Sequence, residues 1–184
     1  MIKKMFDGVI YLRDILNANE SRDDTASSIL AHPDVQEALE IVLNTKDFKV
    51  VNTTQMKFEK NKDARGYEVT PSYKSLSEQN GAEFIYEDTN KEARVLVFFN
   101  EMTEKNGGYL YIPNSYKAKC WPTLEIMKSG QFEDSEGLIY PCKRRIIEAK
   151  PGSVAVFPGT LWHSKGLNVT NAPTECLVID VVSN

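Results

Sequence analysis

Apolar positions along this chain follow two periods, and the switch between them divides it. In the first part Val35, Ala38, Leu39, Val42 and Leu43 recur at the spacing of one helical face. Pro33 suits the first turn of that helix. A shorter helix is predicted over 25–31, with Asp24 as its N-cap. The run Val9-Ile10-Tyr11-Leu12 reads equally as a strand or as a helix start, and 17–24 is polar and loop-like. From Asp47 the period becomes two, with Phe48, Val50, Met56 and Phe58 alternating with polar neighbours as half-buried strands do. The stretch 61–80 is polar and contains Gly66 and Pro71, which predicts a long loop with one short strand at 67–69. Further strands are predicted over 82–88, 94–100, 109–112 and 145–148. Lys105-Asn106-Gly107-Gly108 is a hairpin-type turn, 123–128 is a short helix and 130–137 is a polar turn region.

Towards the C-terminus two apolar runs, 153–157 and 176–182, flank a loop that holds His163 beside Trp162. Pro151-Gly152 opens the first run and Pro158-Gly159 closes it, the usual punctuation of a strand. A histidine at the mouth of such a hairpin is placed to meet a metal or ligand held between two sheets. Its plainer reading is an imidazole that hydrogen-bonds a loop. Two helices followed by roughly eight short strands describe a mainly β fold with N-terminal helices, two sheets with the helices packed on one side. The expected organisation is a single domain over 1–184, with a helical part at 1–46 and the β core at 47–184.

Composition narrows the partners. A net charge of −4 and an isoelectric point near 5.3 argue against a general nucleic-acid or anionic-membrane binder, which needs a positive field. The longest basic run is Lys143-Arg144-Arg145. Charges interrupt every apolar run of the N-terminal segment, so it reads as neither a signal peptide nor a membrane span. Cys120, Cys142 and Cys176 are widely spaced, with no CxxC pair. Reduced thiols in a cytoplasmic protein are expected. The only other histidine, His32, lies between the two predicted helices and reads as a cap or surface residue.

Two segments in order then carry a resemblance. The stretch 97–117, VFFNEMTEKNGGYLYIPNSYK, resembles a core segment of the phytanoyl-CoA dioxygenase-like enzymes, and the prolyl-hydroxylase-like enzymes share its strand, turn and Gly-Gly portion. The later stretch PGSVAVFPGTLWHSKGLNVTN is similar to the second metal-site strand pair of the same families, where a histidine is followed by an asparagine five residues on, here His163 and Asn168. The resemblance implies a double-stranded β-helix, a cupin-like jelly roll, that binds Fe(II) and 2-oxoglutarate. It implies two histidines and one carboxylate on one face of the iron, with three positions left open. It also implies a cation about ten residues past the second histidine that grips the keto acid's far carboxylate.

The chain departs from that pattern. In the His-x-Asp slot stands Tyr86-Glu87-Asp88, so Asp88 and His163 are the candidate metal ligands and Tyr86 takes the first histidine's place. A phenol with an ordinary pKa near about 10 serves Fe(II) poorly. In the cation slot stands Thr174, with Lys165, Arg94 and Lys150 the nearest cations in sequence. Thr174, Lys165, Arg94 and Asn168 are therefore the candidate cofactor contacts, and Tyr86, Asp88 and His163 the candidate catalytic set. Three readings follow. One is an Fe(II)/2-oxoglutarate oxygenase with an altered site acting on a small molecule or peptide. A second is a non-catalytic binding or scaffold protein that keeps the barrel and binds neither cofactor. A third is a cupin-like enzyme using His163 as a base and a tyrosine as an acid.

Overall fold

The computed structural model describes residues 7–16, 25–61, 91–118 and 122–184. The Asp24 cap, the strands expected at 67–69 and 82–88, and with them Tyr86 and Asp88, lie outside the described residues.

Among the described residues, ten strands and three α-helices follow one another in the order β1 (Ile10–Leu12), α1 (Thr25–Ala31), α2 (Pro33–Leu43), β2 (Phe48–Phe58), β3 (Glu92–Phe98), β4 (Tyr109–Tyr111), α3 (Leu124–Ser129), β5 (Gln131–Glu133), β6 (Ile139–Pro141), β7 (Arg145–Ile147), β8 (Val154–Pro158), β9 (His163–Lys165) and β10 (Thr174–Ser183). The ambiguous N-terminal run is a strand, because its alternating pair Ile10 and Leu12 is buried where β1 pairs with β8. The N-terminal segment thus supplies a strand as well as helices. His32 caps α2, its Nδ1 accepting the Asp34 N–H at 3.2 Å, and Pro33 occupies the first turn, where its missing N–H costs nothing.

The large sheet has the order β1-β8-β3-β10-β2, antiparallel throughout. A smaller sheet of order β7-β4-β9 is also antiparallel. Side-chain alternation sorts each central strand into two faces. Ala93, Val95 and Val97 of β3, with Val154, Val156, Ile179 and Val181, pack against Val35, Ala38, Leu39 and Val42 of α2. Burying such side chains is worth about 1.5–3 kcal/mol each. The opposite face, Leu96, Phe98, Ala155, Phe157, Cys176 and Val178, meets Tyr109, Tyr111 and Ile147 of the small sheet. A third cluster, Ile112, Ala118, Phe132 and Trp162, lies beyond it. This is a double-stranded β-helix with a helical layer on the outer face of its larger sheet.

Three expectations about connections are corrected. Runs 153–157 and 176–182 do not form a hairpin, because β3 lies between β8 and β10. His163 stands on a strand rather than in a loop, since β9 crosses to the small sheet and pairs with β4. The Lys105–Gly108 turn does not join a hairpin either, because β3 and β4 belong to different sheets. Period and turn residues locate strand ends, but which strands pair is set by long-range register. The region 130–137 is also more ordered than a turn. It contains β5, which pairs with β6 and sinks Phe132 into the third cluster.

Candidate functional site

The interior of the barrel holds a buried polar group centred on Arg94. Arg94 sits in mid-β3 with the parity of Leu96 and Phe98, so the strand that buries those side chains between the sheets also buries the guanidinium. Asp180 lies directly opposite it in register on β10, with the parity of Val178 and Cys176. The two form a fork: Arg94 Nε donates to Asp180 Oδ1 at 2.7 Å and Nη2 to Oδ2 at 3.1 Å. Arg94 is 5% and Asp180 2% exposed, so this is a fully desolvated, bidentate pair. Asn52 of β2 adds a donor to Asp180 Oδ2 at 3.2 Å.

The remaining terminal nitrogen of Arg94 turns towards the small sheet. Nη1 lies 2.9 Å from His163 Nε2 and donates to the Tyr109 hydroxyl at 3.4 Å. His163 is completely buried, stacked on Tyr109 with ring centroids 5.6 Å apart and tilted against Phe157. Its Nδ1 lies 2.7 Å from the Leu161 carbonyl oxygen. A carbonyl only accepts and a guanidinium only donates, so the two neighbours dictate one state: neutral imidazole, proton on Nδ1, lone pair of Nε2 given to Arg94. Burial, and then the Arg94 charge, pushes the His163 pKa down to about 3, against the smaller opposing pull of Leu161. Burial alone would lower the Arg94 pKa, but Tyr109 and the Asp180 carboxylate raise it above its ordinary value, so the cation persists.

The other sequence candidates do different work. Thr174 is buried and donates its hydroxyl to the Asn106 carbonyl at 2.6 Å, which occupies it with the backbone. Asn168 is fully buried and ties a loop together. Its Nδ2 donates to the carbonyls of Phe58 and Ala172, and its Oδ1 accepts from the Thr170 N–H and hydroxyl. Lys165 donates to the Lys57 carbonyl and lies over the Phe58 ring at 5.0 Å. Lys150, the other nearby cation, pairs with Glu101 at 2.8 Å. Of the candidates within the described residues, only Arg94 and His163 come together. Asp180 escaped sequence reasoning, although a lone carboxylate within Leu177-Val178-Ile179-Asp180-Val181-Val182 signals a buried charge that demands a partner.

A metal at His163 would need the Nε2 lone pair that Arg94 takes, and would sit beside a fixed positive charge. Among the described residues no three His, Cys, Asp or Glu side chains gather to hold a metal ion. His32, the only other histidine, caps a helix of the outer layer. Among the described residues, those around His163 do not by themselves supply an iron centre of two histidines and a carboxylate.

The fold defines a class, the double-stranded β-helix that solved structures holding iron or 2-oxoglutarate also adopt. Within it the chain belongs to the phytanoyl-CoA dioxygenase family, whose model matches residues 13–176. A curated relative, dioxygenase af480 of Aspergillus fumigatus, is 37% identical over 76 residues, 41% of this chain; the match spans only 21% of that protein's length. Among solved structures, iron-bound HygX from Streptomyces hygroscopicus superposes with a TM-score of 0.65 at 12% identity, covering 97% of this chain and 83% of HygX. The epimerase SnoN, crystallised with Fe3+, alpha ketoglutarate and nogalamycin RO, gives 0.64 at 13% identity over 96% of this chain and 79% of SnoN. The nickel complex of the non-heme monooxygenase ThoJ gives 0.60 at 17% identity over 96% and 74%. At these identities the likeness is one of fold.

Proposed function

We propose that this chain is a non-catalytic member of its family, a binding or scaffold protein that keeps the double-stranded β-helix and works without iron. The observation that carries this reading is the 2.9 Å contact between Arg94 Nη1 and His163 Nε2, made where both side chains are buried. The guanidinium supplies the positive charge and directional bonds that a metal would otherwise bring to the barrel interior, anchored to Asp180 on one sheet and His163 on the other. The chain alone then completes its core. A small molecule or peptide is the ligand class this reading favours, since the acidic net charge disfavours nucleic acid.

The second reading, an Fe(II)/2-oxoglutarate oxygenase with an altered site, is favoured by family membership and by the inward placement of His163 on β9. It requires Arg94 to leave Nε2 and ligands to come from the 62–90 segment, where Asp88 stands. Equilibrium dialysis against Fe(II) without oxygen, with and without 2-oxoglutarate, separates the two. Retention of no metal and no decarboxylation of the keto acid under air are expected. One equivalent of iron, lost in His163→Ala, would establish the second reading instead.

A further inference from the structure

The basic run Lys143-Arg144-Arg145 takes no part in the barrel interior. It joins β6 to β7 and, with Pro113, Asn114 and Pro141, lines a surface cleft of about 270 Å3. Among the described residues its lining holds no acidic side chain, although Asp7 and Glu104 each reach one of its arginines from outside. The three consecutive cations are all exposed and concentrate positive charge on one turn of a chain whose net charge is −4.

The cleft is built rather than incidental. Asp7 ties its two walls: the Asp7 backbone carbonyl accepts the Asn114 N–H at 2.8 Å, and the Asp7 carboxylate accepts from the Arg145 guanidinium and from the Tyr111 hydroxyl. Arg145 is thereby oriented by the Asp7 carboxylate, and its guanidinium also interacts with the Tyr111 hydroxyl beside it. Among the described residues Arg144 pairs only with Glu104, at 3.8 Å between two well-exposed side chains, a contact of little worth in water. Lys143 has no ion pair among the described residues. Pro113 and Pro141 stiffen the rims. Two guanidinium groups and an ammonium on a fixed turn match the tetrahedral, multiply charged oxygens of a phosphate group.

We propose that the cleft at Lys143, Arg144 and Arg145 binds a phosphate-bearing anion, a phosphomonoester or pyrophosphate group. Arg145, oriented by Asp7, supplies the directional bonds, and Lys143 and Arg144 close over the charge. The small volume admits one such group, either a free small anion or the end of a larger molecule.

The test is a pyrophosphate titration of the whole chain followed by amide NMR, with Lys143→Gln/Arg144→Gln beside it. Both side chains are exposed, so the variant keeps the wild-type melting temperature and reports on binding alone. Saturable shifts at Asn114 and Arg145 are expected, weakened about tenfold in the double variant by the loss of two charge-assisted contacts. They should weaken further between about 20 and about 200 mM salt. Co-sedimentation with phosphatidylcholine vesicles doped with phosphatidic acid, whose headgroup is a phosphomonoester, separates the sources. Capture lost in the variant assigns a lipid headgroup, and pyrophosphate binding without capture assigns a soluble ligand. Shifts that fail to saturate, that are the same with chloride, or that survive unchanged in the variant would overturn the proposal.

Discussion

Replacing Arg94 with alanine removes one side chain and strands two others. Asp180, 2% exposed, would lose both guanidinium bonds and keep only the Asn52 amide, while His163 Nε2 would lose its donor. Breaking a buried ion pair by deleting one partner costs about 3–5 kcal/mol, because the remaining charge stays desolvated without compensation. The whole stability of a domain is only about 5–15 kcal/mol, so Arg94→Ala should fold marginally. Replacing both partners by apolar groups of similar size, Arg94→Met with Asp180→Leu, removes the stranded charge and should recover most of that loss. Urea unfolding of the three proteins at neutral pH, with the slope checked for constancy, reads the differences. The single variant should stand far below wild type and the double variant close to it. A single variant within about 1 kcal/mol of wild type would refute the reasoning, since that is the scale of an exposed pair.

Other consequences can be checked with the same protein. Unfolded histidine titrates near about 6.5, whereas native His163 is held down at about 3, so between those values the unfolded chain takes up a proton that the native one refuses. Stability present above that upper value should therefore fall as the pH drops towards the lower one, by about 1.4 kcal/mol per pH unit from this group. Urea midpoints measured against pH should show the slope in wild type and a shallower one in His163→Gln. Asn168→Ala takes the amide donor from the carbonyls of Phe58 and Ala172, of which Ala172 keeps only the Thr170 hydroxyl, and the acceptor from the Thr170 N–H, and should cost about 2–3 kcal/mol by thermal unfolding. Gly166→Ala would place a Cβ 2.3 Å from the Gly108 carbonyl oxygen, backbone that cannot step aside cheaply. It should lower the melting temperature by several degrees, about 2 kcal/mol or more. Removing the cation at Arg94 should also let His163 and Asp180 compete for divalent metal, so Arg94→Ala should take up Co(II) where wild type does not, read by the visible spectrum of the bound ion.

Much of the scaffold was legible because its signals are local. The 3.6 period of Val35 to Leu43 and the apolar runs of β3, β8 and β10 follow directly from what each element must bury. His163 stood out because histidine is scarce here and turn residues frame the strand before it. The inward direction of Arg94 was readable in principle. Arg94, Leu96 and Phe98 alternate within one strand, so a reader who trusts Phe98 as core must place the arginine on the same face. What alternation cannot supply is the partner. Arg94 meets Asp180 and His163 only because β10 lies beside β3 and β9 crosses to the facing sheet, and both facts arise from register between segments far apart in sequence. For the same reason the surroundings of Thr174 and Asn168 were not legible. Their polar atoms are spent on backbone groups of other segments, which spacing alone does not reveal.

The most direct test of an arginine in the metal's place is the imidazole 15N spectrum of His163 during a titration with Fe(II) or Zn(II), with and without 2-oxoglutarate. A neutral ring protonated at Nδ1, with Nε2 hydrogen-bonded to Arg94, should give resonances that stay put through neutral and mildly acidic pH and through a full equivalent of metal. A change at Nε2 that saturates at one metal ion per chain, whether a shift with Zn(II) or broadening with Fe(II), would contradict it and return the chain to the metal-dependent members of its family.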